Sequence, residues 1–402
     1  MLRGEESMKE LSKIASAIVA SSTLAVDALA KKLKAEGMDV ISFGPGEPDF
    51  DTPEHIKQSC IDALGRGETK YTPAPGLPAL RQAIANRLKA DMGVTYQPEE
   101  IVVASGAKHN VYLTLQALVN PGDEVIIPAP YWVTYFEAVK MVGGLPVVVQ
   151  AGEEQDFKIN AEQLRAAITD KTKLIIMNNP SNPTGMLYSE AELRAIAEVC
   201  VEADIYIMSD EIYYHLVYEG SFVSMASLGD AVKERTILVN GVSKSYAMTG
   251  WRIGYTASNL QIAKVMSNYV SHSTSAPATM CQIASIEALS GDQSFIPEMK
   301  AAFLERRNYI CQRVNAIEGL SCRTPQGAFY IMVNIEDQVG KTLGGKKIEN
   351  GDDFAMAFLE AAQVAVVPGS GFGAPNFVRL SYATSMENIV KGMDRLEKFV
   401  QG

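Results

Sequence analysis

The sequence predicts an α/β protein built on a mostly parallel sheet with helices on both faces, joined to a smaller α+β domain. Three observations carry this. Short, largely apolar runs (101–104, 124–127, 174–177, 205–208 and 236–239) alternate with segments of helical spacing, as strands buried on both faces do. Each run ends in a polar, proline- or glycine-bearing cluster, and ligands gather at the carboxyl ends of parallel strands. From about residue 261 the alternation gives way to long helical patterns and weaker strand-like runs, while 402 residues exceed what one small domain needs.

Residues 8–37 read as helical and irregular by turns, ending at Glu36-Gly37. Val40-Ile41-Ser42-Phe43 leads into Gly44-Pro45-Gly46-Glu47-Pro48-Asp49-Phe50, whose glycines and prolines dictate a fixed turn. The pair Gly44 and Gly46 lacks the third glycine of a dinucleotide fingerprint. A helical stretch around 54–66 is followed by the stiff loop from Lys70-Tyr71 to Gly76, and Pro78 opens another helix. The strand 101–104 runs into Ser105-Gly106-Ala107-Lys108 and a helix from His109 to Val119, with Val111, Leu115 and Leu118 at helical spacing. Such a junction aims backbone N–H groups at an anion, and it is equally a common tight connection. Trp132 follows strand 124–127 and reads either as packing or as an aromatic platform. The strand 174–177 meets Asn178-Asn179-Pro180-Ser181-Asn182-Pro183-Thr184-Gly185, and 205–208 meets Ser209-Asp210-Glu211-Ile212-Tyr213. Residues 261–317 are helical with a break near Ser290-Gly291-Asp292; 328–333 and 365–367 are strand-like; a last helix starts at Glu387. Gly340 with Gly345-Lys346 has P-loop spacing, but Lys347 replaces the hydroxyl residue, so a solvated hairpin is the reading there.

Composition narrows the function. A net charge of −11 argues against a general nucleic-acid binder. No apolar run has the length of a membrane span, and the first residues lack the apolar core of a signal peptide. Met8 offers an alternative start to Met1. Five scattered cysteines without a CxxC pair read as reduced thiols of a cytoplasmic protein, and four dispersed histidines show no metal spacing.

The chemistry concentrates around Thr236–Tyr255. Lys244 stands just past a buried strand, where an amine of lowered basicity can form a covalent link to a carbonyl compound. Arg252, eight residues on, could clamp a phosphate; the plainer alternative is a strand-end cation and a surface ion pair. Asp210 ends a buried strand and needs either a cation or a helix to cap. Tyr213 and Asn182 are hydrogen-bonding candidates beside it, and Arg379, flanked by apolar residues, should hold a carboxylate of the protein or of a ligand.

Gly241-Val242-Ser243-Lys244 followed by Gly250-Trp251-Arg252-Ile253-Gly254 resembles the lysine signature of class I pyridoxal-phosphate aminotransferases. With Asn182-Pro183-Thr184-Gly185, Asp210, Tyr213 and Arg379 in order, the resemblance spans nearly the whole chain and is strongest to the bacterial aspartate aminotransferase subgroup. It implies fold type I, with a seven-stranded-type sheet, and a division into residues 1–48 (arm and part of the small domain), 49–292 (large domain) and 293–402 (small domain). It implies pyridoxal 5′-phosphate, linked to Lys244, which then shuttles a proton between the substrate α-carbon and the cofactor. Asp210 matches the partner of the ring nitrogen, Tyr213 and Asn182 the partners of the ring oxygen, and Trp132 the stacked aromatic. Gly106, Ala107, Lys108, Ser243 and Arg252 match the cofactor cradle, with Tyr71 reaching it from a second subunit of a homodimer. Arg379, Asn182, Trp132 and Gly46 match the α-carboxylate side of the substrate site, and Lys108 the receptor of a side-chain carboxylate. The substrates implied are L-aspartate and 2-oxoglutarate. Alanine, aromatic, kynurenine-type or prephenate transfer and C–S lysis are alternatives on the same fold, as is a non-enzymatic regulator. Val19, where prephenate-using relatives carry a lysine, argues against prephenate. Gly241 departs from relatives that carry a phosphate-binding serine there.

Overall fold

The computed structural model describes residues 9–20 and 22–402, except the side chains of residues 22–27; the alternative start at Met8 lies outside the described residues. The core is a seven-stranded sheet of β1 (Ile101–Ala104), β2 (Glu124–Ala129), β3 (Leu145–Gln150), β4 (Thr172–Asn178), β5 (Tyr206–Asp210), β6 (Thr236–Gly241) and β7 (Gly254–Ala257), in the order β1-β7-β6-β5-β4-β2-β3. Only β7 runs against its neighbours β1 and β6; the other pairings are parallel.

Why these runs become buried strands is visible in their side chains. Ile126, Ile175 and Ile207 point to one face and pack against Leu193 and Ile196 of the helix Glu190–Glu202. Val125, Ile127, Leu174, Ile176 and Met208 point to the other, against helix α1 (Ala107–Leu118) and helix α2 (Val133–Met141). The period-2 alternation thus finds an apolar layer on both sides, and each fully covered Ile or Leu contributes about 2 kcal/mol. Edge strand β3 and inserted β7 were absent from the sequence expectations. In β3 the central residues are only half-buried and Pro146 interrupts the run; in β7 just four residues follow a left-handed turn at Arg252.

A second sheet, antiparallel, comprises β8 (Ser321–Cys322), β9 (Tyr330–Asn334), β10 (Val367–Pro368) and β11 (Phe377–Ser381), in the order β10-β11-β9-β8. Helices α3 (Phe295–Asn315) and α4 (Met386–Gln401) pack on it around Phe303, Phe329, Ile389 and Leu396. Ile41–Ser42 pairs in parallel with Val364–Ala365, so an early segment is woven into the late part of the chain. The P-loop-like stretch forms the expected hairpin, Thr342–Leu343 against Lys346–Lys347. Among the described residues, no helix is long and apolar enough to cross a membrane.

Candidate active site

The carboxyl ends of β4, β5 and β6 open into a cavity of about 390 Å³ that the turn 44–47 and Tyr330 and Arg379 of the second sheet close from the other side. Its wall contains Gly46, Ala107, Lys108, Trp132, Asn182, Asp210, Tyr213, Ser243, Lys244, Arg252 and Arg379. Residues from seven separate stretches of sequence therefore meet at one place.

Register explains much of this. Asn178 and Asp210, the last residues of β4 and β5, are direct partners across the parallel pair. Asn178 Nδ2 donates to the Asp210 carbonyl (2.9 Å), and its Oδ1 accepts the N–H of Asn182 (2.7 Å), which pins the Asn182 loop to the strand end. The Asp210 side chain is 3% exposed and makes no ion pair among the described residues. It accepts from the Tyr135 hydroxyl (2.7 Å) and the Ile212 N–H (3.2 Å). Burial pushes its carboxyl up to about 6, with the Tyr135 and Ile212 hydrogen bonds and the charge of Lys244 pulling the other way. A carboxylate so placed still lacks the cation that would offset its desolvation.

This has a thermodynamic consequence. Because Asp210 takes up its proton at a higher pH folded than unfolded, the folded, cofactor-free chain binds more protons between about 4 and 6. Stability falls as pH rises through that window and stays lower above it. Asp210→Asn should therefore raise the unfolding free energy of cofactor-free protein at pH 8, on the order of 1–3 kcal/mol. The gain should fade as pH falls through 6 towards 4, as urea titrations at the two pH values would record. An equal midpoint shift at both would contradict the burial argument.

Lys244 follows β6 after two residues, Val242 and Ser243, and lies half-buried in the wall, its ammonium donating to the Gly46 carbonyl. Burial lowers it to about 8; the Glu47 charge opposes that, the guanidinium groups of Arg252 and Arg379 reinforce it, and Asp210 opposes it. An amine near 8 is partly unprotonated at neutral pH, as a nucleophile or proton carrier requires.

The two guanidinium groups of the cavity wall have no carboxylate within ion-pair distance among the described residues. Arg379, 2% exposed, donates through Nη1 to Asn182 Oδ1 (3.1 Å) and through Nη2 to the Gly44 carbonyl (2.7 Å), and its Nε has no partner. Its guanidinium carbon stands 4.5 Å from the centre of the Tyr330 ring, whose hydroxyl meets that of Tyr213 (2.9 Å). Arg252 adopts a left-handed backbone (φ 56°) and donates to the Thr249 carbonyl (2.9 Å). Gly106, also at positive φ, lets this guanidinium lie against the start of α1, since a Cβ at residue 106 would collide with it. Exposed N–H groups of a helix start plus a guanidinium form a cradle for a phosphate.

Lys108 opens α1 with its Nζ 5.0 Å from the Trp132 ring centre; it is solvent-exposed through the cavity mouth, yet burial and then the Arg252 charge lower its amine. Its place on the cavity wall joins it to the site instead of leaving it simply in solvent. Tyr71 does not join the cavity and is fully exposed. At Gly241 a Cβ would lie 2.8 Å from the Ile253 carbonyl oxygen and 3.0 Å from Gly254 Cα, so this chain has no room for the serine of some relatives.

Sequence reasoning missed Tyr135, Tyr330, Glu47 and Asn178 as parts of the wall. Both tyrosines sit in apolar runs that read as core, and only the tertiary fold brings their hydroxyls to Asp210 and Tyr213. Taken together, the wall fits a flat ligand with a cationic ring nitrogen at Asp210, an oxygen at Tyr213 and Asn182, a phosphate at Arg252 and a reactive carbonyl at Lys244, besides a carboxylate at Arg379.

The chain is similar along nearly its whole length to known proteins. The family "Aminotransferase class I and II" matches residues 38–396. An aspartate aminotransferase of Bacillus sp. (strain YM-2) is 50% identical over 98% of this chain and 100% of its own. Solved structures of the aspartate aminotransferase from Rhizobium meliloti (TM-score 0.94, 43% identity, 98% of this chain and 99% of that one) and of the Thermus thermophilus aspartate aminotransferase with maleate (0.92, 41%, 98% and 100%) share the fold.

Proposed function

We infer the reaction from one premise: this chain belongs to the class I and II aminotransferases, enzymes that use pyridoxal 5′-phosphate. It is an aspartate aminotransferase in our reading, moving the amino group of L-aspartate to 2-oxoglutarate and giving oxaloacetate and L-glutamate. The observation that carries this is Arg379, a buried guanidinium with no carboxylate partner among the described residues, which lines the same cavity as Lys244. Bound, pyridoxal phosphate supplies the carbonyl that accepts the amino group and a conjugated ring that takes up the electrons of the substrate's Cα–H bond.

The protein's residues do the rest. Lys244 would hold the cofactor covalently, and its amine, when free, would take the proton from the substrate Cα and return one in the reverse direction. Asp210, braced by Tyr135, would hold the ring nitrogen in its cationic form, a cation that would offset the burial of its carboxylate. Tyr213 and Asn182 orient the ring oxygen, Trp132 covers a ring face, and Gly106, Ala107, Ser243 and Arg252 bind the phosphate. Arg379 and Asn182, with Gly46, fix the α-carboxylate, so that the Cα–H bond stands towards Lys244.

Lys108 selects the dicarboxylate. It is the cavity-wall cation left after Lys244, Arg252 and Arg379 are assigned, and the maleate in the related Thermus thermophilus structure is a dicarboxylate. Lys108→Ala should cut kcat/KM for aspartate about 10- to 100-fold while leaving alanine turnover nearly unchanged; undiminished aspartate turnover would overturn the dicarboxylate assignment. The reading includes a cytoplasmic homodimer in which the exposed Tyr71 reaches the phosphate of the other subunit, and residues 49–292 and 1–48 with 293–402 as its two domains. A coupled assay tests the whole: oxaloacetate and glutamate should form in equal amounts from aspartate and 2-oxoglutarate, and pyruvate released without an oxo-acid acceptor would indicate C–S or β-lyase chemistry instead.

A further inference from the structure

The cavity wall carries four cations, Lys108, Lys244, Arg252 and Arg379, and only two carboxylates, Asp210 and Glu47. Asp210 is buried at the strand end, whereas Glu47 is exposed at the rim and makes no ion pair among the described residues. Its position is nevertheless fixed. Pro45 and Pro48 stiffen its turn, and its Oε2 accepts from the Thr249 hydroxyl (2.7 Å), on the same loop whose Thr249 carbonyl holds Arg252. Its neighbour Gly46 presents the carbonyl that the Lys244 ammonium meets, and Glu47 lines the same cavity. Among charged neighbours Glu47 also exerts the largest effect on Lys244, favouring the cationic form.

A substrate amino acid and its oxo acid carry the same carboxylates and differ at Cα by an ammonium against a carbonyl. Arg379 and Lys108 are therefore blind to the difference. We propose that Glu47 is a specificity residue that recognises the α-ammonium of the incoming amino acid, favouring amino-acid over oxo-acid binding at a rim otherwise dominated by positive charge. The inference rests on the aminotransferase reading. It goes further in assigning the two classes of substrate to a difference in rim charge.

Glu47→Gln tests it, because glutamine is isosteric and its carbonyl still accepts from Thr249. With the cofactor-loaded enzyme, the KM for L-aspartate should rise roughly two- to five-fold, as loss of one exposed charge pair allows. The KM for 2-oxoglutarate and the inhibition constant of maleate, a dicarboxylate without an amine, should stay level or fall. Raising the salt concentration should erase the difference between wild type and variant. Thr249→Val, which removes the hydrogen bond and keeps the charge, should retain most of the preference. Equal shifts in the amino-acid and oxo-acid KM would make Glu47 a brace of the turn and overturn the proposal, as would no shift in either. Failure of the underlying reading is separately visible: wild-type enzyme would then fail to turn over aspartate at all.

Discussion

Lys244→Ala is expected to lower the rate of amino transfer by about 10⁴-fold while leaving the protein folded. The lysine has two tasks, covalent attachment and proton movement at the substrate Cα, and general acid–base work alone accounts for about 10²–10⁴. Among the described residues its ammonium makes one hydrogen bond, to Gly46, and replacing a half-buried amine already lowered to about 8 removes a desolvated charge. Stability should therefore hold or improve. The checks are single-turnover kinetics, mass spectrometry after borohydride reduction, which should find cofactor fixed to wild-type protein and not to the variant, and a melting curve. A variant that lost activity because it unfolded would say nothing about the lysine. One that kept the cofactor covalently bound would place the link on another residue.

Arg379→Ala should cost about 2–5 kcal/mol of transition-state stabilisation, a drop of roughly 30- to several-thousand-fold in kcat/KM for aspartate. The guanidinium is anchored by Asn182 and Gly44 and has no carboxylate of the protein to satisfy among the described residues, so its charge is reserved for a ligand. Both kcat and KM should suffer, since a carboxylate bound loosely no longer aims the Cα–H bond at Lys244. Arg379→Lys should recover only part of the loss, because an ammonium lacks the two-pronged fork. The control is the melting temperature: removing a buried, unpaired charge should not lower it much, so a collapse in stability would assign Arg379 a structural role.

Much of the site was legible in the sequence because parallel strands deliver polar residues to one edge of a sheet. Asp210 ends β5, Asn182 and Lys244 follow β4 and β6, and their order alone placed them near one another. Arg379 was legible as an arginine in an apolar run, although its freedom from any structural carboxylate required the fold. Tyr135 was not legible: its aromatic ring fits the apolar spacing of α2, and its hydroxyl matters only because that helix crosses above Asp210. Glu47 was hidden in a turn whose glycines and prolines explained the segment without it. Strand β7 was missed for a related reason. Its four residues carry little pattern of their own and gain their place from pairing with β1 and β6.

The most direct measurement is the absorbance spectrum of purified, cofactor-loaded protein before and after addition of L-aspartate. The expected result is a visible band of the lysine-bound cofactor that gives way to a shorter-wavelength band with aspartate and returns with 2-oxoglutarate. A visible band indifferent to aspartate but responsive to another amino acid would contradict the substrate; absence of any such band in protein supplied with pyridoxal phosphate would contradict the role of Lys244 itself.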